Sequence, residues 1–216
     1  VTAVARYALA DYLRSQRFVP PLVAYLGCLA VLHAGGGDAL AGYGMSAAAL
    51  VPVTVWLTLT LHNAEDPVQT AVTVVNAGGR YRVVAGRTGA VLVCALALTA
   101  ASLAAPVLAE RHLPPAADLA CGLLAHLTCA FVAAGLGACC ARPVIRRQGY
   151  AFTTALLLSL VVLVARPVTP ANQTIRLIAG APPRPPAVDL LLLTGGAAVM
   201  LAALVALASW LSARRA

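Results

Sequence analysis

Charged side chains divide this chain into long apolar runs. Six stretches, 18–37, 39–64, 88–109, 119–141, 148–165 and 190–213, carry no Asp, Glu, Lys or Arg over 18 to 26 residues each, and the next longest, 67–79, has thirteen. An ionised side chain at mid-bilayer costs roughly 2.5 to 3.5 kcal/mol on the insertion scale, so charge-free gaps mark where a chain can cross a membrane. A helix rises about 1.5 Å per residue; 18 to 20 residues therefore cover a hydrocarbon core of about 30 Å, and thirteen do not. The pattern predicts an all-α, polytopic membrane protein with six transmembrane helices, forming a single domain over residues 1–216. Pro20 and Pro21 suit the first turn of the first span, and the fifth gap is the shortest.

Composition agrees, with 61% hydrophobic residues, 10% charged residues and a mean hydropathy of +0.88. Arginine sets the orientation, because all 15 basic residues are Arg. One set of loops and ends holds eleven: Arg6, Arg14, Arg17, Arg80, Arg82, Arg87, Arg142, Arg146, Arg147, Arg214 and Arg215. The opposite set holds four: Arg111, Arg166, Arg176 and Arg184. The positive-inside rule puts both termini in the cytoplasm of a plasma-membrane protein. Because the arginines are spread over separate loops, the net charge of +8 reads as topology and contact with membrane lipid, not as a nucleic-acid footprint.

Residues 4–17 carry Arg6, Asp11, Arg14 and Arg17, which speaks against a cleaved signal peptide. At 100° per residue Ala5, Leu9, Tyr12 and Leu13 share a face, predicting an interfacial helix on the inner leaflet.

No catalytic residue, metal ligand or cofactor is assigned to this chain. H-E-x-x-H is absent, and no serine nucleophile is assigned. The six cysteines lie in or at the edges of spans without a C-x-x-C pair, and read as small apolar packing residues, the vicinal Cys139 and Cys140 included. His126 lies well inside a span one turn after Gly122, and reads as hydrogen-bonded packing. Asp11, Asp38, Glu65, Asp66, Glu110, Asp118 and Asp189 all fall in loops or at span ends, so no midplane carboxylate is available for ion coupling. A phosphate-binding loop needs a lysine, and there is none; ATP-driven work would require a partner.

The basic elbow between the second and third spans, "EDPVQTAVTVVNAGGRYRVVAGR" at 65–87, has its own helix signals. Asp66 is a good N-cap, Pro67 suits the first helical position, and Gly78 can supply a left-handed C-terminal cap. A cytoplasmic helix over 67–76 is expected, with Arg80, Arg82 and Arg87 holding the re-entering chain at the headgroups.

This layout resembles the permease subunits of type 2 ABC transporters, mostly exporters. Glu65 matches that family's acidic position, residues 67–76 its coupling helix, Gly79-Arg80 and Arg82 its basic turn, and Gly86-Arg87 its entry pair. Residues 166–189 match its folded external segment between spans five and six. The resemblance implies an exporter moving a hydrophobic or amphipathic cargo: a drug, peptide antibiotic, lipid or glycan. Its partners would be two copies of a separate ABC ATPase, which bind ATP and Mg, and a second permease, identical or paralogous. ATPase coupling would fall to Glu65, Asp66, Pro67, Val68, Gln69, Thr70, Val72, Thr73, Arg80 and Arg82. Thr54 and Thr58 on span two, with Thr153 and Thr154 on span five, would line the cargo path. Two alternatives stay open, a substrate-capturing subunit of a vitamin importer and a membrane assembly or anchoring protein.

Overall fold

A computed structural model describes residues 1–34, 37–110, 113–142, 144–165, 169–180 and 186–214. Among the described residues the structure is all-helical, with no strand. The helices run α1 (Thr2–Arg14), α2 (Val19–Leu32), α3 (Ala39–His62), α4 (Pro67–Ala77), α5 (Arg80–Glu110), α6 (Ala116–Cys140), α7 (Gln148–Val164), α8 (Pro170–Ala179) and α9 (Ala187–Arg214). Arg111, His112, Arg166, Arg184 and Arg215, and residues 166–168 and 181–185 of the expected external segment 166–189, lie outside the described residues.

Four helices, α3, α5, α6 and α9, are long and apolar enough to cross a membrane. α1 and α2 pass the same test only together, across an 80° bend, which makes up to five. The expected first span is shorter than its charge-free gap: α2 has 14 residues and closes at His33, whose ring Nδ1 bonds the Leu29 carbonyl at 3.0 Å. α7, at the fifth gap, has 17 residues. The third helix is longer than expected. This helix, α5, starts at Arg80 and not near residue 88, because Gly79 is the last residue of the preceding turn and no proline stands between it and residue 88.

Local chemistry explains the ends. Asp38 caps α3 by accepting from the Ala41 N–H at 3.2 Å, and Thr169 caps α8 by accepting from the Asn172 N–H at 3.3 Å. The corner between α1 and α2 holds Gln16 at φ 56°, a left-handed position in a non-glycine residue. Tyr12 fastens this corner: its hydroxyl lies 2.8 Å from Thr60 Oγ1 on α3 and donates to the Arg17 carbonyl at 3.3 Å.

The apolar face expected for residues 4–17 is covered by protein. Tyr12 is fully buried, and Ala8 and Leu9 pack into a core shared with α2, α3, α5 and α6. Gly86 and Gly89 of α5 admit α1 closely, a Cβ at Gly86 falling 2.7 Å from Val4 Cβ. Leu13 is on the other side, 49% exposed.

The centre of the bundle is α3 and α9 packed on α6. Small residues let the backbones approach, as is usual where lipid supplies no hydrophobic drive between helices. A Cβ at Gly137 would fall 2.5 Å from Thr58 Cβ, one at Gly122 2.7 Å from the Tyr43 ring, and one at Gly135 2.7 Å from Leu204 Cδ1. Hydroxyls within the helices bond the carbonyl one turn back, as Thr58 does to Thr54 at 2.7 Å and Ser159 to Ala155 at 2.8 Å. Gly137→Ala should therefore overpack the α3–α6 contact, losing about 1–3 kcal/mol and lowering the thermal midpoint of the purified protein in detergent. Gly195→Ala meets no atom within 4 Å and should leave that midpoint unchanged or raised, Ala being about 1 kcal/mol the better helix former.

Candidate functional site

The elbow folds as a short helix closed at both ends. Asp66 takes an extended conformation and its Oδ1 accepts from the Gln69 N–H at 2.8 Å, with Pro67 at the first helical position. At the other end Gly78 adopts φ 72°, ψ 28°, followed by Gly79 at φ 143°. The Gly79 N–H bonds the Val74 carbonyl at 3.0 Å and the Gly78 N–H that of Val75 at 3.1 Å, the paired closure that a left-handed glycine permits. The helix ends one residue beyond the expected 76.

Glu65 and Arg87 form a buried ion pair beneath it. Arg87 Nη2 donates to Glu65 Oε2 at 2.5 Å, with the two side chains only 5–7% exposed. The same carboxylate oxygen accepts from the hydroxyls of Thr70 at 3.3 Å and Thr73 at 3.1 Å. Arg87 Nη1 donates to the His62 carbonyl at 3.0 Å. One guanidinium thus joins the end of α3, the base of α4 and the second turn of α5. The expectation that Arg87 sits at the headgroups is corrected: it points inward, because Glu65 supplies a closer anion and apolar surroundings strengthen the pair.

The other expected coupling residues divide by face. Thr70 and Thr73 turn inward, while Gln69 donates from Nε2 to the Tyr7 hydroxyl at 2.8 Å and ties α4 to α1. Val68, Val72 and Val75 point away, at 76%, 57% and 78% exposed. None of the residues of α4 is buried. Arg82 is exposed and donates to the Ala77 carbonyl at 3.2 Å, closing the turn from α4 into α5, and Arg80 is half-buried.

The four threonines expected along a cargo path are not brought together. Thr54 and Thr58 are fully buried inside the bundle, Thr58 against Gly137 of α6. Thr153 and Thr154 are exposed on α7, Thr153 bonding the Gly149 carbonyl at 3.0 Å. The side chains that face each other between α3 and α7 are Trp56 and Phe152, edge to face at 5.8 Å.

A second polar cluster ties α3, α5 and α6. His126 Nδ1 is 2.7 Å from the Gly122 carbonyl, which can only accept, so the proton is on Nδ1. Nε2 is then an acceptor, 2.9 Å from Ser102 Oγ and 3.2 Å from Ser46 Oγ, and the two serine oxygens are 2.8 Å apart. Gly44-Met45-Ser46 is a G-x-S tripeptide, but nothing local in the sequence joins it to His126. Serine and histidine in contact are the parts of a nucleophile and its base. All three are fully buried, which withholds them from a substrate in this conformation. They fasten three helices.

No protein-family model, no curated protein and no solved structure matches this chain.

Removing one member of the Glu65–Arg87 pair leaves an unpaired buried charge, a loss of about 3–5 kcal/mol. Arg87→Met should lower the thermal midpoint strongly, and Glu65→Gln combined with Arg87→Met should recover part of the loss. A double variant as unstable as the sum of the two singles would mean that the side chains act independently.

Proposed function

We propose that this chain is the permease subunit of a type 2 ABC exporter. In this reading α2, α3, α5, α6, α7 and α9 are the six crossings, with α2 and α7 as short spans. α1 lies along the inner leaflet and α8 belongs to the external segment. Both termini and α4 face the cytoplasm of the plasma membrane. α4 is the coupling helix, docked on a separate ATPase that supplies ATP and Mg chemistry; two such ATPases and a second permease, identical or paralogous, complete the transporter.

The observation that carries this reading is the outer face of α4. Exposed valines at 68, 72 and 75 follow helical spacing and form one apolar stripe. A helix with no fully buried residue, yet capped at both ends and pinned by a buried ion pair, is built to present a face to something else. Pushing on that stripe moves α3 and α5 together, since Arg87 holds both. This is what transmission from a nucleotide-driven partner requires. The stripe also favours this reading over a vitamin-capturing subunit, which would bind its energising module through small residues on its spans.

Val72→Pro removes a helical hydrogen bond and clashes with the preceding turn, about 3 kcal/mol or more in an 11-residue helix. Val68, Val72 and Val75 changed together to Ser keep the helix and remove the stripe. With the ATPase from an adjacent gene co-expressed, both variants should insert normally and lose the ATPase in pull-down. Full association and export with the serine variant would put the valines against lipid and remove the coupling role.

Orientation is tested separately by single cysteines in a variant lacking the native six. A membrane-impermeant reagent applied to intact cells should label position 179, exposed at the end of α8, and spare position 72. The reverse pattern would overturn the topology.

A further inference from the structure

α2 and α7 both pack against α3 and leave a groove between them whose floor is α3. Its inner end is a polar mouth of about 570 Å³, within the range of about 300–1,000 Å³ usual for ligand sites, lined by Arg17, Thr60, Asn63, Arg142 and Gln148 among others. Trp56, Leu59 and Phe152 continue it. Further along α3 it becomes an apolar cleft of about 220 Å³ between Ala24, Pro52, Val53 and Leu156. Shared walls make this one path: Trp56 lines all three sections.

The charges at the mouth do not cancel. Glu65 lines it but is neutralised by Arg87, and the Asp66 carboxylate is engaged in capping α4. Among the described residues Arg17 donates to the Ala64 carbonyl, at 3.3 Å. Arg142 uses its backbone N–H on Asn63 Oδ1 at 2.9 Å, and its side chain is exposed. Two guanidiniums thus stand against one carboxylate not already paired. Beside them a tryptophan and a phenylalanine lead into a slot walled by aliphatic side chains. Head and tail requirements are written into one groove.

We infer that this groove takes an amphiphile with one anionic headgroup and an apolar chain, drawn from the inner leaflet, its head between Arg17 and Arg142 and its chain along Trp56, Phe152 and Leu156. As a statement about cargo it rests on the permease reading above; as a binding site it does not. Pro52 lies in the floor of that slot, where its ring leaves the carbonyl one turn back without its helical partner.

Trp56 is the reporter. The chain has two tryptophans, and Trp210→Phe leaves Trp56 alone. The purified chain in phosphatidylcholine nanodiscs is titrated with lysophosphatidic acid or lysophosphatidylcholine, each carrying a brominated acyl chain that quenches tryptophan on contact. Each arginine near an anionic headgroup contributes about a fivefold preference, so quenching by the anionic lipid should be half-maximal at a mole fraction lower by about tenfold or more. In the Arg17→Gln, Arg142→Gln double variant the two lipids should quench alike, at the level of the zwitterionic lipid in the unaltered protein, which also shows the groove to be intact.

Equal quenching by both lipids before substitution, or a preference that survives it, would overturn the proposal. So would displacement of the anionic lipid by inorganic phosphate at matched ionic strength, which would make the mouth a site for a free anion. Absence of quenching by either lipid, with cross-linking of copies through cysteines at position 156, would show that a second copy covers the groove. None of these outcomes involves an ATPase, so failure here leaves the pull-down of α4 variants standing, and failure of the pull-down leaves this binding test standing.

Discussion

A guanidinium in apolar surroundings must find an anion, and in this chain Arg87 has Glu65. The pair is nearly inaccessible to solvent, and it fixes the course of the main chain around it. α3 must end where the His62 carbonyl can receive Arg87. α4 must start where Thr70 and Thr73 reach the same carboxylate. α5 must be helical from Arg80, so that Arg87 is carried to the inside of its second turn. Without the pair, residues 63–79 would be a tether between two long helices. With it they become a fixed projection whose outer face is apolar.

The rest of the interior follows the same constraint with weaker groups. Polar atoms inside such a bundle have to be met by protein, and most are, Thr54 Oγ1 and Thr174 Oγ1 being buried hydroxyls with no hydrogen-bond partner among the described residues. Threonine and serine hydroxyls return to the carbonyl one turn back, and His126 with Ser46 and Ser102 forms a set that satisfies itself across three helices. Tyr25 extends that network to α2, donating to the Ser46 carbonyl at 3.2 Å. Burying a polar group unpaired costs free energy, so such sets hold helices in one register.

How much of this was legible in the sequence depended on range. The capped helix was readable almost to the residue, because Asp66 and Pro67 at one end and Gly78 and Gly79 at the other each act on backbone no more than five residues away. The long charge-free gaps located α3, α6 and α9 for the same reason: an apolar run is a local property. What could not be read was pairing at a distance. Arg87 looked like one more basic residue at a membrane surface, since the carboxylate that turns it inward is 22 positions earlier. Thr54 and Thr58 were legible as one helix face but not as the face against α6, because Gly137 supplies the space. The apolar side of α1 was seen, yet not that α5 would cover it through Gly86 and Gly89 in place of lipid. Ser46 met His126 only in three dimensions.

The glycine contacts along α6 have a consequence for how this molecule can change shape. Gly122, Gly135 and Gly137 seat side chains from α3, α5 and α9 at distances where even a methyl group has no room. Interlocked surfaces of this kind do not slide by fractions of an ångström; they hold or they come apart. α3, α6 and α9 therefore behave as a single stiff block. α2 and α7 flank α3 and line the groove with residues such as Pro20, Ala24, Phe152 and Leu156. Any change of shape that preserves these contacts must carry α3, α6 and α9 as one body.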